Sequence, residues 1–382
     1  MDSNKLLKPW QEALINQPDF LKQILQNFLQ KTLEEEFLNQ IGAERYARSD
    51  ERKGYRNGHY ERQLQTRVGT LMIQVCRDRE GNFQSELFER YQRHDKALVS
   101  SLVEMYLCGV STRKVEGIVE SLCGFGISKS SVSNLTKQLD EDLEKWRHRV
   151  LTEEYPYMVF DARYERIREN GSVVSKAFVV VIGISLEGRR EIIGCFVINS
   201  ESYEAWDACI ASLKARNLKG VRYVVSDHNQ GLRNAIAKHF QEAIWQRCQV
   251  HFMRNFIHKL SKKDQKEGIR FLKEVFETFS KEEAKEKLKK VETYLKEKKK
   301  DSVWAWVEEN IEEALNVYAL PEEHRKKMKS TNMLERFNQE LKRRSKVVRI
   351  FPNEQSCLRL LTALCQEKSE EWGYKKYLNT GE

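Results

Sequence analysis

The sequence has no run approaching the roughly 20 apolar residues that a transmembrane helix needs. Its start also lacks a basic stretch followed by an apolar one, so we expect neither a signal peptide nor a membrane span. Only 5 of the 382 residues are proline, and no long segment rich in proline, glycine and serine predicts a flexible linker. The 8 cysteines are scattered rather than spaced like a disulfide framework, so reduced thiols and a cytoplasmic protein are expected.

Length and charge give the first positive indications. A chain of 382 residues exceeds one ordinary domain. Lysine and arginine outnumber aspartate and glutamate by 66 to 57, and the formal net charge is +9. This excess of positive charge favours polyanionic partners.

Three acidic residues fall where a chain can hold a carboxylate rigidly. Asp161 and Asp227 each close a short segment with the composition of a strand, and Glu335 falls in the first turn of a predicted helix. Carboxylates held in this way suit two divalent cations roughly 3.5 to 4 Å apart that promote phosphoryl transfer. Taken singly, a strand-end aspartate is more often a turn residue, and the segment 332–335 also fits a capping box. Their joint placement favours the metal site.

Five short segments rich in β-branched and aromatic residues predict strands, and helical patterns alternate with the later ones. The order strand, strand, strand, helix, strand, helix, strand predicts an α/β sheet, with a hairpin turn at 186–189. The predicted strands are 157–161, 177–184, 191–198, 221–227 and 243–248, and the predicted helices are 203–215 and 230–240.

The segment between Asp227 and Glu335 is far longer than one helix and one strand require. Residues 255–329 are rich in lysine and glutamate and carry apolar residues at helical spacing. They predict an all-α insertion that interrupts the α/β fold. Trp304 and Trp306 within it are expected to pack in a helical core, although stacking on an unpaired base is the alternative.

A helix-turn-helix pattern precedes the predicted sheet. One helix, which opens near residue 108, should turn Val115 and Leu122 inward, and a second begins at the N-cap Ser128. The second helix has the polar, moderately basic face of a major-groove reader, although a plain helical hairpin is the alternative. The residues predicted to contact DNA there are Lys129, Ser130, Ser131, Ser133, Asn134 and Lys137.

Two patterns lie nearer the start of the chain. Residues 45–93 interleave arginines with aromatic residues around a predicted strand at 70–76. This mixture suits nucleic acid, and an ordinary charged surface is equally compatible with it. A helix over 20–38 carries an apolar stripe that fits either a second protomer or packing within its own domain.

The surroundings of Glu335 also indicate DNA. Helical spacing places Asn338, Gln339 and Lys342 on the same face as Glu335. Basic side chains can neutralise phosphates while a carboxylate holds a cation, and a solvated basic face is the competing explanation. The residues predicted to contact DNA in this region are Arg336, Lys342, Arg343 and Arg344, together with Arg163 near Asp161.

Cys248 and His251 form a Cys-x-x-His pair. Such a pair can supply half of a zinc site, but no second pair stands nearby at the spacing of structural zinc. Structural zinc is therefore not expected.

Four separated motifs resemble those of Mutator-type bacterial insertion-sequence transposases, in the family's order and approximate spacing. Two shorter segments nearer the start of the chain, 55–58 (YRNG) and 88–91 (FERY), extend the resemblance over most of the chain. The four motifs are 161–164 (DARY), 226–231 (SDHNQG), 248–251 (CQVH) and the helix that carries Thr331, Asn332, Glu335, Arg336 and Asn338.

The resemblance implies that Asp161, Asp227 and Glu335 are the DDE triad of an RNase H-like domain. It implies Mg²⁺ as the cofactor, with Mn²⁺ able to substitute. Terminal inverted repeats and target DNA are the implied partners of a homodimer in the bacterial cytoplasm, associated with the nucleoid. The residues that it places in the neighbourhood of the triad are Cys248, His251 and Asn338.

We therefore predict a transposase that binds the inverted repeats of its element and cuts by metal-activated water, after which the freed 3′-hydroxyl attacks target DNA. The resemblance further implies a replicative route through a circular intermediate. A catalytically inactive DNA-binding regulator and a structure-specific nuclease on the same fold are the alternatives.

The predicted organisation has six parts. They are a helical region at 1–45 suited to dimerisation, a basic DNA-contacting region at 46–95, a helix-turn-helix domain at 96–150, the first part of the RNase H-like domain at 151–254, the all-α insertion at 255–329, and C-terminal helices with the third acid at 330–382.

Overall fold

The computed structural model divides the chain into two compact units, Met1–Lys137 and Gln138–Glu382. The predicted segment 88–91 and the side chain of Lys129 lie outside the described part of the chain. The limits of the six predicted parts stay predictions. The structure describes residues 19–43, 52–85, 96–123, 125–137 and 139–379.

The described ranges of the first unit contain a long helix, a two-stranded antiparallel ribbon and three short helices. Apolar clusters lie between the long helix and the ribbon and among the short helices. The elements are α1 (Phe20–Ile41), β1 (Arg56–Thr66), β2 (Gly69–Asp78), α2 (Lys96–Leu107), α3 (Thr112–Cys123) and α4 (Lys129–Thr136).

Helix α1 lies on the ribbon, with Leu33 and Leu71 fully buried between them. The side chain of Gln30 fixes this packing, because it accepts from the backbone N–H of Gln74 at 2.9 Å and donates to its carbonyl at 3.0 Å. The predicted helix and the predicted strand β2 are confirmed. Strand β1 is not predicted from the sequence, because only Leu64 and Thr66 of its residues are buried.

The three short helices enclose a small core that includes Val115, Val119 and Val132. Ser128 caps α4, since its hydroxyl accepts the backbone N–H of Ser131 at 3.1 Å, and the predicted N-cap is confirmed. The prediction for Leu122 is wrong, because its side chain is 75% exposed. The buried side chains of α3 recur at every fourth residue, so Leu122 lies on the exposed face of the helix.

The second unit contains a five-stranded mixed sheet and helices before, between and after the strands. The predicted mixed α/β class is therefore confirmed. The elements around the sheet are α5 (Leu139–Arg147), β3 (Tyr157–Glu169), β4 (Ser172–Ile184), β5 (Arg190–Ile198), α6 (Tyr203–Ala215), β6 (Tyr223–Ser226), α7 (Gln230–His239) and β7 (Ile244–Arg247).

The strand order in the sheet is β5-β4-β3-β6-β7. Strand β4 pairs antiparallel with β3 and β5, whereas β6 pairs parallel with β3 and β7. Helices α6 and α7 cover one face, where Phe160, Val181, Trp206 and Ile236 are buried together. All five predicted strands and both predicted helices are present.

One prediction about Asp161 needs correction, because this residue does not end its strand. Strand β3 continues to Glu169 through its antiparallel pairing with β4. The parallel pairing with β6 stops at Val159 and Val225. Asp161 therefore lies just beyond the last parallel pair, at the sheet edge where β6 ends and Asp227 follows.

Five α-helices and one short 3₁₀ helix (Asn316–Ala319) lie between β7 and the helix of Glu335. Their core includes Phe252, Leu272 and Val307, and the ring of Trp306 lies 4.8 Å from that of Phe252. Trp304 also packs against this core, so the packing prediction for both tryptophans is confirmed. The five α-helices are α8 (Gln249–Lys259), α9 (Lys262–Phe276), α10 (Lys281–Glu297), α11 (Asp301–Ala314) and α12 (Glu322–Met328).

Two further helices, α13 (Asn332–Val348) and α14 (Glu354–Gly373), complete the described chain. The backbone of β5 is tied to α14, because the N–H of Ile192 donates to Ser369 Oγ at 2.9 Å. None of the helices in the described ranges is both long enough and apolar enough to cross a bilayer.

Candidate active site

The sheet topology brings Asp161 and Asp227 to one edge. Strands β3 and β6 are parallel neighbours, and the carboxyl ends of parallel strands meet at the same edge, where side chains from both can converge. Asp227 follows β6 directly, and its Oδ1 accepts the backbone N–H of His228 at 2.6 Å. Its side chain is 48% exposed, so this carboxylate faces the open side of the edge.

Asp161 is more enclosed. Its Oδ1 accepts the N–H of Ala162 at 3.1 Å, and its Oδ2 accepts from the amide Nδ2 of Asn338 at 2.6 Å. Burial raises the pKa of Asp161 to about 6, against the opposing charge of His251, and the charges of Glu335 and Asp227 raise it further. The three predicted acids therefore share one electrostatic environment.

Glu335 reaches this edge from the first turn of α13. Thr331 begins that helix without a side-chain cap, so the capping-box interpretation of the segment 332–335 is wrong. The carboxylate of Glu335 instead accepts from Arg254 Nη2 at 3.2 Å. The helix thus directs the acid toward the sheet edge rather than toward its own backbone.

His251 lies between two of the acids. Its Nδ1 is 4.0 Å from Asp227 Oδ1, and its Nε2 is 3.7 Å from Glu335 Oε1. Burial disfavours the charged ring, but the sulfur of Cys248 and the carboxylates of Asp227 and Asp161 raise the pKa of His251 to about 9. A positive imidazole therefore stands between the carboxylates near neutral pH.

Cys248 lies beside His251 and contacts the start of α13. Its buried sulfur accepts the backbone N–H of Thr331 at 3.3 Å and lies 3.4 Å from the Thr331 hydroxyl. Although burial acts to raise it, the pKa of Cys248 is lowered by His251 and then by Thr331. The Cys-x-x-His pair thereby joins the start of α8 to the start of α13.

Arg163, which the sequence predicts to contact DNA, lies between β3 and α13 in the structure. Its guanidinium donates to the carbonyl of Asn338 at 3.0 Å and pairs with Glu165 at 2.8 Å. The side chains of Arg163 and Glu165 are only 14% and 9% exposed. Arg163 therefore fastens α13 to β3, a position that disfavours a contact with DNA.

The other predicted DNA-contacting residues divide by exposure. In α13, Arg336, Lys342 and Arg343 are exposed and Arg344 is half-buried. In α4, Ser131 is half-buried with its hydroxyl 2.9 Å from that of Ser128. Of the residues predicted to contact DNA in the α4 region, Ser130, Ser133, Asn134 and Lys137 are exposed.

Sequence reasoning missed the residues that hold the loop after Asp227. Glu201 accepts from the side chain of Asn229 at 3.2 Å. Gly231 packs against the neighbouring loop so closely that a Cβ there would lie 2.7 Å from the backbone nitrogen of Tyr203. The SDHNQG motif at 226–231 contains Asn229 and Gly231, but nothing in the sequence identifies Glu201 as their partner.

A second contact that the sequence does not predict comes from the helices between β7 and α13. Glu313 at the end of α11 pairs with Arg233 at 2.5 Å and lies 3.9 Å from His228 Nε2. The buried Arg247 lies 3.8 Å from the same carboxylate. The helices between β7 and α13 therefore brace the residue that follows Asp227.

The donor set fits a divalent cation in its chemistry. In the part of the chain that the structure describes, no three His, Cys, Asp or Glu side chains stand close enough to hold a metal ion. The carboxylate of Glu335 contacts Arg254 and His251 instead. Carboxylate oxygens are nevertheless the ligands that Mg²⁺ prefers. The Oδ1 of Asn338 is buried without a hydrogen-bond partner among the described residues, which leaves an acceptor beside Asp161.

Comparison with known proteins gives a consistent result. The family model described as "Transposase, Mutator family" matches residues 2–375. The chain is 45% identical over 371 residues to the transposase for insertion sequence element ISRM5 of Rhizobium meliloti, covering 96% of this chain and 92% of that protein.

Two further relatives extend the comparison. The transposase for insertion sequence element IS256 in transposon Tn4001 of Staphylococcus aureus is 42% identical, with 94% of this chain and 93% of that protein covered. The transposase for insertion sequence element IS1081 of Mycobacterium tuberculosis is 34% identical, with 93% and 86% covered.

Proposed function

The chain belongs to the Mutator family of transposases, and from that premise we propose that it cuts and joins DNA strands at the ends of an insertion sequence. The observation that carries the proposed chemistry is the convergence of Asp161, Asp227 and Glu335 at one edge of the sheet. Residues so distant in the chain meet there only because β3, β6 and α13 are packed together.

We propose that these three acids are a DDE triad that holds Mg²⁺, with Mn²⁺ able to substitute. When bound, the cations lower the pKa of a water or hydroxyl and stabilise the oxygen that leaves phosphorus. Asn338 holds one oxygen of Asp161 through its amide, and Arg163 holds the backbone of Asn338. These two residues keep Asp161 in a fixed orientation.

The fold supports an RNase H-like assignment with a helical insertion. Three antiparallel strands and two parallel ones, with one acid on β3 and another directly after the adjacent β6, support this proposal. Helices α8 to α12 lie between β7 and α13 and form their own core. They therefore interrupt the chain between the second and third acids.

DNA is the substrate, and two surfaces suit it. The exposed Arg336, Lys342 and Arg343 lie on α13 close to Glu335, where they can neutralise phosphates near the acids. In the first unit, α4 exposes Ser133 and Asn134, as expected of a helix that reads bases in the major groove. We assign α4 to recognition of the inverted repeats.

A homodimer would bring two DNA ends together. Helix α1 supports this proposal, because Leu21, Ile24 and Phe28 are 49%, 41% and 62% exposed while Leu33 of the same stripe is buried against the ribbon. Apolar side chains at this spacing form one face that a second copy of the helix can cover.

The test is a cleavage and joining assay in Mg²⁺ on a plasmid that carries the gene with its native flanking DNA. Wild type should nick at the repeat ends and join the 3′ ends to a target, and Asp161→Asn should do neither while it still binds the ends. Cutting without joining would favour a nuclease. Tight binding without any Asp161-dependent cutting would favour an inactive regulator.

A further inference from the structure

We propose that a groove in the first unit holds the sugar-phosphate backbone of DNA beside the bases that α4 reaches. The groove encloses about 1030 Å³. One wall is the β1-β2 ribbon with Arg62, Gln63, Arg77 and Arg79, and Ser128 and Ser131 at the start of α4 form part of the lining. This inference rests on the proposed function, since it names where the same DNA runs.

The lining decides the class of ligand. Pockets for small organic ligands are mostly apolar with a few polar groups. Here guanidinium, amide and hydroxyl groups predominate, with Asn57, Gln63 and Gln65 beside the arginines. A polar, open groove of this kind suits an extended anion whose oxygens accept many hydrogen bonds.

Two arginines are held in place by tyrosines. The guanidinium of Arg77 lies 4.5 Å from the ring centre of Tyr60, and that of Arg79 lies 5.4 Å from the ring centre of Tyr55. Both arginines are exposed, so stacking orders them without removing their charge from solvent. Ordered arginines lose less freedom when they bind phosphate oxygens.

The acids on the ribbon wall are largely engaged elsewhere. Asp78 accepts the backbone N–H groups of Asn82 and Phe83 at 3.0 and 3.1 Å, and Glu80 accepts from the Asn82 side chain at 3.1 Å. These carboxylates hold the turn after β2. Glu61 is the remaining acid of the lining. The three acids keep their charge and balance the three arginines, so the wall would bind phosphate through the directed N–H groups of Arg62, Arg77 and Arg79 rather than through a net positive charge.

The position of α4 sets the direction of the DNA. In helix-turn-helix proteins the N-terminal residues of the recognition helix contact base edges. Ser128 and Ser131 at that end of α4 also line the groove. A duplex read by α4 would therefore carry its flanking phosphates into the groove and along Arg77 and Arg79.

The experiment measures binding of the full-length protein to a repeat-end duplex and to a scrambled duplex over a range of salt. The double variant Arg77→Gln/Arg79→Gln should lower affinity for both duplexes by the same factor. The slope of log affinity against log salt should fall by about 1.8, since each lost phosphate contact removes about 0.9. The double variant Arg77→Lys/Arg79→Lys, which keeps both positive charges, should retain most of the wild-type slope.

The matched control is Arg67→Gln, on the exposed turn of the ribbon and outside the groove lining. It should leave affinity and slope unchanged. A second experiment leaves Arg77 and Arg79 unchanged. A photo-crosslinking residue in place of Gln63 should crosslink to DNA, whereas the same residue in place of Arg67 should not. An unchanged slope in the Gln double variant, or absence of crosslinking from Gln63, would overturn the proposal.

Failure of the proposed function would look different. If wild type does not distinguish repeat ends from scrambled DNA, the assignment of α4 to repeat recognition fails, yet the groove still predicts the loss of slope on both duplexes. If wild type prefers repeat ends and the double variant keeps its slope, only the groove proposal fails.

Discussion

The candidate acid site of the second unit and the proposed recognition surface of the first use their polar side chains in opposite ways. Asp161 is enclosed, accepts a hydrogen bond from Asn338 and has a pKa raised to about 6. Ser133 and Asn134 on α4 are exposed. Chemistry requires groups held in a fixed, partly desolvated geometry. Recognition of a long polyanion requires groups that solvent and DNA can both reach.

Helix α13 shows both kinds of environment on its two faces. Its inner face places Glu335 and Asn338 against the sheet edge, and Ser345 further along the helix is buried. Its outer face exposes Arg336 and Lys342. Changes on the inner face should therefore affect cutting alone, and changes on the outer face should affect DNA affinity.

The largest expected effect is that of Asp227→Asn, which should abolish strand cleavage and leave the affinity for repeat ends within about twofold of wild type. The amide removes a charge that a divalent cation needs, while Asp227 belongs to no recognition surface. Gel-shift and nicking assays on the same preparation measure both. Asp207→Asn, an acid on α6 paired with Lys238 at 2.8 Å, is the control and should cut normally.

Asn338→Ala should reduce cleavage by about 10- to 100-fold, the usual cost of removing a partner that orients a metal-binding carboxylate. Its amide is the group bonded to Asp161 at 2.6 Å. The half-maximal Mn²⁺ concentration for nicking should rise as well. Gln339→Ala, at the adjacent exposed position, should leave both quantities unchanged, and equal losses in the two variants would refute the assignment.

His251→Ala should impair cleavage by about tenfold and leave binding to repeat ends intact. The ring lies 3.7 Å from Glu335 and 4.0 Å from Asp227, so its loss should misplace two acids without touching the exposed DNA surface. Parallel loss of cutting and binding would contradict this division between the two regions.

The smallest effect concerns pH. Because a cation must displace the proton from Asp161, whose pKa is raised to about 6, Mn²⁺ affinity should be about twofold lower at pH 6 than at its plateau and fall further below it. Isothermal titration between pH 5.5 and 7.5 checks this, with Asp161→Asn as the control that loses the dependence.

The raised pKa of Asp161 also predicts whether the stability of the folded protein rises or falls with pH. The folded pKa of Asp161 lies above its ordinary value of 3.8, so without metal the folded state binds more protons between about pH 4 and 6. Stability from this group should therefore fall as pH rises through that window. A rise in unfolding temperature over the same window, absent in Asp161→Asn, would contradict the assignment.

The sequence predicted the parts whose local pattern is unambiguous. The uninterrupted apolar residues of β4 and the stripe of Trp206, Ile210 and Leu213 on α6 are examples, because burial on one face or both leaves a direct periodic signal. Strand β1 escaped prediction because its residues are mostly polar, and it is ordered by pairing with β2.

The sequence indicates where the three candidate acids lie, but not the contacts that support them. Asp161 and Asp227 follow apolar segments that mark strands, but the continuation of β3 past Asp161 depends on pairing with β4. The bond from Asn338 to Asp161 and the pairing of Glu313 with Arg233 join residues far apart in the chain. Such contacts have no local pattern and emerge only from packing.

The central claim is that Asp161, Asp227 and Glu335 bind cations at one place, and iron-directed cleavage of the protein tests it most directly. Fe²⁺ in place of Mg²⁺, with ascorbate and peroxide, should cut the backbone close to all three residues, and Mg²⁺ should compete. Asp161→Asn should lose all three cuts together. Cuts elsewhere in the chain, or a pattern that Asp161→Asn leaves unchanged, would contradict the account.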